Sequence, residues 1–243
     1  MSDSNGRNKL LVALDVDSGD RALELAQRLH PVAGGFKVGS RLFTLEGPSI
    51  VRRIVDLGTR VFLDLKFHDI PNQVAQTIEA AVLTGAWMVN VHTSGGTAMM
   101  QGAARAAATA ASQHNVAKPI LIGVTVLTSM DEPALRAIGI ERRLLDQVIA
   151  LAGLAKEAGL DGVVASPQET AAIRQAWGSD FVIVTPGIRG AAAGAEKHDQ
   201  ARTMGPAEAV RAGASYIVVG RPIIAAADPR SAAEAIVEEL RAE

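Results

Sequence analysis

Four ionisable side chains stand in this chain where strands should end in apolar ones, and their spacing could support proton-transfer chemistry. In the segment 60–66, Arg-Val-Phe-Leu-Asp-Leu-Lys, Val61, Leu63 and Leu65 form one face, while Phe62, Asp64 and Lys66 form the other. Asp64 and Lys66 therefore lie side by side at the C-terminal end of that strand, and Asp69 follows where it gives way to its loop. Asp15 stands at the end of the apolar segment before it, and Lys37 within Phe36-Lys37-Val38-Gly39. Burying such charges is costly unless they pair. Carboxylates alternating with ammonium groups raise a lysine's pKa against desolvation and keep it protonated. A protonated lysine is a proton donor rather than a Schiff-base nucleophile, which suits chemistry that makes a carbanion and quenches it. The other reading of the cluster is structural: an ion-pair plug in the mouth of a barrel.

A second group suggests the handle of a ligand. Thr185-Pro186-Gly187-Ile188-Arg189 follows one strand segment, and Gly220-Arg221-Pro222 follows the next. A glycine ending a strand is by itself only a turn. Two Gly/Arg loops, after the seventh and eighth strands, point to a phosphate monoester held by backbone N–H groups and an arginine fork. Neither loop is a Walker or dinucleotide motif.

The elements that must position these groups alternate along the chain. Strand segments are expected at 10–16, 35–38, 60–66, 88–92, 120–126, 162–165, 181–184 and 216–219. Helical spacing occupies 19–29, 48–57, 72–83, 97–111, 141–158, 167–176, 206–212 and 229–240. Strand followed by helix about eight times predicts parallel strands with helical crossovers, and apolar runs such as 10–14 fit a sheet covered on both faces. At 243 residues the repeat count matches a single (β/α)8 TIM barrel better than an open sheet, with 1–9 as a polar N-terminal extension. No linker divides the chain, and 190–198 reads as a mobile loop.

Composition excludes other classes. Apolar residues make up 48% and charged residues 21% of the chain, which is globular rather than disordered. A net charge of −2 and 3% aromatics leave neither a basic stripe nor a base-stacking platform for nucleic acid. Cysteine is absent, which removes thiol catalysis and disulfides. The first ten residues lack a signal-peptide core, and no run reaches the roughly 18 apolar residues of a membrane span, so a soluble, cytoplasmic protein is expected. His30, His114 and His198 show no ligand spacing, and no metal site is expected. His92 reads as a hydrogen-bonded core histidine, with a place in the site as the alternative; His68 and the Met99-Met100 pair read as packing residues.

Asp64-Leu65-Lys66-Phe67-His68-Asp69-Ile70-Pro71-Asn72 resembles the DxKFHDIPN signature of the orotidine 5′-phosphate decarboxylase family. The likeness runs along nearly the whole chain, through 11–15, Phe36-Lys37-Val38-Gly39, 91–96, Val126-Leu127-Thr128-Ser129, Pro186-Gly187-Ile188-Arg189 and 218–223. It implies decarboxylation of orotidine 5′-phosphate to uridine 5′-phosphate in pyrimidine synthesis, on a ribulose-phosphate-binding type of barrel, without metal or organic cofactor. By the resemblance Lys66 protonates C6 of the pyrimidine, Asp64 sits near the departing carboxylate, and Lys37 ties the network together and reaches the ribose. Asp15 binds the sugar. Asp69 acts across a homodimer interface in the partner's site, and Ile70 beside it joins the substrate-binding set. Thr128, or its neighbour Ser129, hydrogen-bonds the base. Gln200 bridges base and phosphate, while Arg189, Gly220 and Arg221 hold the phosphate. The chain departs from the pattern at Gln73, usually Thr, and in a longer interval from Arg189 to Gln200.

Two other readings remain at this stage. DxKxxD is shared with metal-dependent sugar-phosphate aldolases or decarboxylases of the same barrel superfamily, which use magnesium to stabilise an enediolate. A non-catalytic phosphate-ligand sensor is the other, though a pure binder has little reason to bury four charges.

Overall fold

The computed structural model describes residues 3–188 and 204–241; Arg189, Gln200, His198 and the stretch 190–198 lie outside the described residues. Eight parallel strands close in chain order into a barrel. They are β1 Leu10–Ala13, β2 Gly35–Gly39, β3 Val61–Phe67, β4 Met88–His92, β5 Ile120–Val124, β6 Gly162–Val164, β7 Val182–Thr185 and β8 Tyr216–Val219. Pairing of Leu11 with Val218 joins the last strand to the first.

The helices, most of which return the chain between strands, are α1 Asp3–Lys9, α2 Gly19–Leu29, α3 Ser40–Glu46, α4 Ser49–Val55, α5 Pro71–Val82 and α6 Gly96–Gln113. They continue with α7 Glu132–Ala137, α8 Leu144–Glu157, α9 Pro167–Trp177, α10 Pro206–Arg211, α11 Arg221–Ile224 and α12 Pro229–Arg241. Local chemistry sets their ends. Ser166 caps α9 by accepting from the Gln168 N–H at 3.3 Å, and Glu169 Oε2 accepts from the Ser166 N–H at 2.8 Å, a reciprocal cap just before Pro167. The stretch expected as one helix over 48–57 is α4 alone. It is separated from the unforeseen α3 by Gly47, whose φ of +66° suits a residue without a β-carbon. Within the polar stretch 1–9, Asp3–Lys9 likewise form a helix, α1, which packs against α12 and the starts of β1 and β8.

Period-two alternation divides the apolar side chains into two shells. Leu10, Val12, Phe36, Val38, Val61, Leu63, Val89 and Val91 face outward into the packing against the helices. Leu11, Ala13, Phe62, Met88, Ile122, Val184 and Val218 fill the barrel interior. Below them the Arg60 guanidinium lies 4.4 Å from the centre of the Trp87 ring, which meets Tyr216 edge-on at 5.1 Å. The interior is thus a packed core, and the barrel's mouth opens above it at the strands' C-terminal ends. Among the described residues no helix is long and apolar enough to cross a membrane.

Candidate active site

The inward-facing positions turn from apolar to polar on moving up the strands. Asp15 follows Ala13, Asp64 follows Phe62, and Asn90 follows Met88; Lys37 stands opposite both Ala13 and Phe62. Their side chains form one chain of alternating charge. Asp15 Oδ1 accepts from Lys37 Nζ at 3.0 Å, Lys37 Nζ lies 3.5 Å from Asp64 Oδ2, and Lys66 Nζ donates to Asp64 Oδ1 at 2.7 Å. Lys37 and Asp64 are nearly buried, at 11% and 12% side-chain exposure, whereas Lys66 keeps 39% and is open to a ligand from above. The backbone at Gly39 keeps this space clear: a β-carbon there would stand 2.9 Å from Lys37 Nζ.

The electrostatics follow from the order of the chain. Burial alone would push the Asp64 carboxyl up. The Lys37 and Lys66 ammonium groups, with hydrogen bonds from Lys66 and Asn90, outweigh it and hold the carboxyl below its ordinary value. Asp64 is therefore ionised, and a carboxylate flanked by two cations has little charge left to offer a third.

Lys66 reaches Asp64 through a backbone irregularity, not through regular alternation alone. The β3–β4 register shifts between Leu63 and Phe67, and Lys66 has φ +53°, a left-handed conformation that costs a residue with a β-carbon about 1–2 kcal/mol. The displaced Lys66 N–H donates to Asn90 Oδ1 at 2.8 Å, and Asn90 Nδ2 donates to Asp64 Oδ1 at 2.7 Å. Sequence reasoning passed over Asn90. The signal was available, since alternation over 88–92 puts Met88, Asn90 and His92 on one face, with an amide where the interior should be apolar.

His92 corrects another expectation. It is not a core histidine: it is half-buried at the mouth beside Lys66, with Nδ1 3.1 Å from Ser94 Oγ and its ring centre 5.4 Å from that of the exposed His68. Burial, then the neighbouring His68 and Lys66, lower its pKa, so the imidazole is neutral at pH 7. Met99 and Met100 are fully buried in the outer shell.

The remaining expected residues stand around the rim. Asp69 is exposed, its Oδ1 accepting from the Ile70 N–H at 2.7 Å, and among the described residues it joins none of the ion pairs. Ile70, 68% exposed, sits immediately before α5. Gln73 is exposed in the first turn of that helix. Thr128 is half-buried and Ser129 exposed in the loop after β5. A β-carbon on Gly220 would stand 3.7 Å from Asp15 Oδ2, so barrel closure brings the start of α11, where Arg221 stands, beside the first carboxylate of the chain. Pro186 to Ile188 leave β7 on the same end, and Ile188 pairs with Met204.

Residues 8–236 match the model of the family described as "Orotidine 5'-phosphate decarboxylase / HUMPS family". The chain belongs to this family. An orotidine 5′-phosphate decarboxylase of Moorella thermoacetica is 54% identical over 97% of this chain and 93% of its own length. That of Syntrophotalea carbinolica is 53% identical over 97% of this chain and 96% of its own. The crystal structure of orotidine 5′-phosphate decarboxylase from Lactobacillus acidophilus superposes with a TM-score of 0.83 at 36% identity, covering 95% of this chain and 98% of that one. The matched region spans β1 to β8 and so includes every strand that carries a group of the charge chain.

Proposed function

We propose that this chain converts orotidine 5′-phosphate to uridine 5′-phosphate and carbon dioxide, with Lys66 as the proton donor. The observation that carries the reading is the Lys66 ammonium, 2.7 Å from a buried carboxylate that a second lysine also faces, and open on its remaining side. When the bond from C6 to the carboxylate carbon breaks, its electron pair stays on C6 and carbon dioxide departs. The ring offers no electron sink of its own, so the developing negative charge needs a cation already in place. Lys66 supplies that cation, gives its proton to C6, and regains one from solvent. Asp64 pairs with the Lys66 ammonium until then and lies near the departing carboxylate. Lys37 holds Asp64 from the other side and reaches the ribose together with Asp15.

The rest of the substrate orients the ring. By the sequence resemblance, Gly220, Arg221 and Arg189 hold the phosphate, Thr128 or its neighbour Ser129 the base, and Gln200 bridges the two. Binding energy from the phosphate, remote from the reacting carbon, serves to align that carbon with Lys66. Asp69 completes the site of a second copy in a homodimer, Ile70 beside it joins the substrate-binding set, and the enzyme works in the cytoplasm on a free nucleotide. No metal or organic cofactor takes part. Asp64 is already paired with both Lys37 and Lys66.

The test is the near-ultraviolet absorbance of orotidine 5′-phosphate mixed with the purified protein, with and without EDTA. The orotate chromophore should disappear at the same rate in chelator, and Lys66→Ala should lower kcat by about 1,000-fold or more. No turnover by the folded protein, or turnover abolished by EDTA, refutes the reading and points to a magnesium-dependent sugar-phosphate enzyme.

A further inference from the structure

Asn90 stands in the middle of β4 with none of its surface exposed, and both ends of its amide are engaged. Its carbonyl meets an N–H and its NH2 meets a carboxylate, so only one orientation of the amide satisfies both. The bond to the Lys66 N–H falls where β3 and β4 lose register, and there a side chain replaces the missing ladder partner. The bond to Asp64 lands on Oδ1, the oxygen that also receives the Lys66 ammonium. Asn90 thus grips Lys66 twice, at the backbone directly and at Nζ through Asp64.

We infer that Asn90 is a positioning residue for proton delivery: without touching substrate, it sets where the Lys66 ammonium stands relative to the reacting carbon. The inference rests on the reading of Lys66 as proton donor. Without the amide, the Lys66 backbone relaxes toward the regular strand conformation and Asp64 Oδ1 loses one of its two donors, and both changes move Nζ. The phosphate loops follow β7 and β8 and are not affected, so substrate binding persists while the chemical step slows.

The test compares Lys66→Ala, Asn90→Ala and Asn90→Asp as purified full-length proteins assayed with orotidine 5′-phosphate from acid to alkaline pH. Asn90→Ala should lose about 100-fold in kcat, the scale of an ångström-sized misplacement, with KM within about threefold of the parent. Asn90→Asp matches asparagine in shape and separates positioning from packing. Ionised, it sets an oxygen against Asp64 Oδ1; protonated, it donates there as the amide does. Its kcat should therefore be low at alkaline pH and recover about tenfold or more as the pH falls toward about 5, a rise absent from the parent. Should Asn90→Ala fail to fold, this isosteric variant carries the test by itself. A pH profile of Asn90→Asp parallel to the parent's, or kcat within about twofold of it throughout while Lys66→Ala is inactive, overturns the inference. Parental kcat in Lys66→Ala overturns instead the proton-donor reading beneath it, a separate and distinguishable result.

Discussion

At the scale of single residues, the site is governed by one carboxylate between two ammonium groups. Asp64 is nearly buried, yet its pKa is lowered, because Lys37 and Lys66 together exceed the cost of burial. The sign of the resulting pH dependence is fixed. A carboxyl that binds its proton at lower pH when folded than when unfolded contributes its full stabilisation above the unfolded value near about 4, and loses it as pH falls through the folded value. The melting temperature of the parent should therefore exceed that of Asp64→Asn by a constant margin above about pH 5, and the margin should narrow below about pH 4. Melting curves across that range decide it, and a margin indifferent to pH would show that Lys37 and Lys66 do not stabilise the ionised form. His92 is also shifted downward, so near neutrality the mouth carries a neutral imidazole next to Lys66 instead of a third positive charge.

At the scale of elements, β3 does two jobs with two geometries. Its first residues, Val61 to Leu63, pair regularly and feed both shells of the core; its last ones break register and present Lys66. The chain then enters α5 through Asp69, Ile70 and Pro71, an exposed corner whose isoleucine is 68% accessible and faces none of the core. If Asp69 acts in a second copy's site, as the proposed dimer requires, two inactive variants should rescue each other. Asp69→Ala mixed with an equal amount of Lys66→Ala, after dissociation and reassociation, forms mixed dimers in which one site keeps both residues and the other loses both. Activity of about a quarter of the parent's is expected from random pairing, against the near-zero activity of either variant alone. An inactive mixture of dimers shown by mass to be mixed would place Asp69 in its own chain's site.

At the scale of the whole molecule, the barrel separates stability from chemistry by putting them at opposite ends. On the N-terminal side, α1 closes the floor: Arg7 donates to the carbonyls of Ala33 at 3.2 Å and His30 at 2.8 Å, and Arg60 donates to those of Gly34 and Asn8. The interior layer of Leu11, Phe62, Met88 and Val218 stands between this floor and the charged mouth. Arg7→Ala should cost about 2 kcal/mol through its hydrogen bonds to half-buried carbonyls, seen as a fall in melting temperature of roughly 4–8 °C. Its kcat and KM should remain those of the parent at a temperature where both are folded. A fall in kcat with the melting temperature unchanged would mean that the two ends are coupled through the core.

Much of this was legible in the residues alone, for a physical reason: side-chain alternation is a local property of a strand. Period two placed Asp64 beside Lys66 and aimed both away from Leu63, and the count of strand–helix repeats implied closure with the charges at one end. Other features depend on neighbours that sequence spacing does not name. Lys66 is an unexpected residue for a left-handed backbone, and in that conformation its N–H donates to Asn90, a residue of a different strand. Gly220 meets Asp15 only because β8 closes on β1. His92 faces the mouth and not the core because its strand ends there, next to His68. The sequence by itself determined which ionisable groups are present and which face of each strand they occupy. Tertiary structure decided which groups touch, because contact between strands depends on register and closure, and those are settled by packing across the whole barrel.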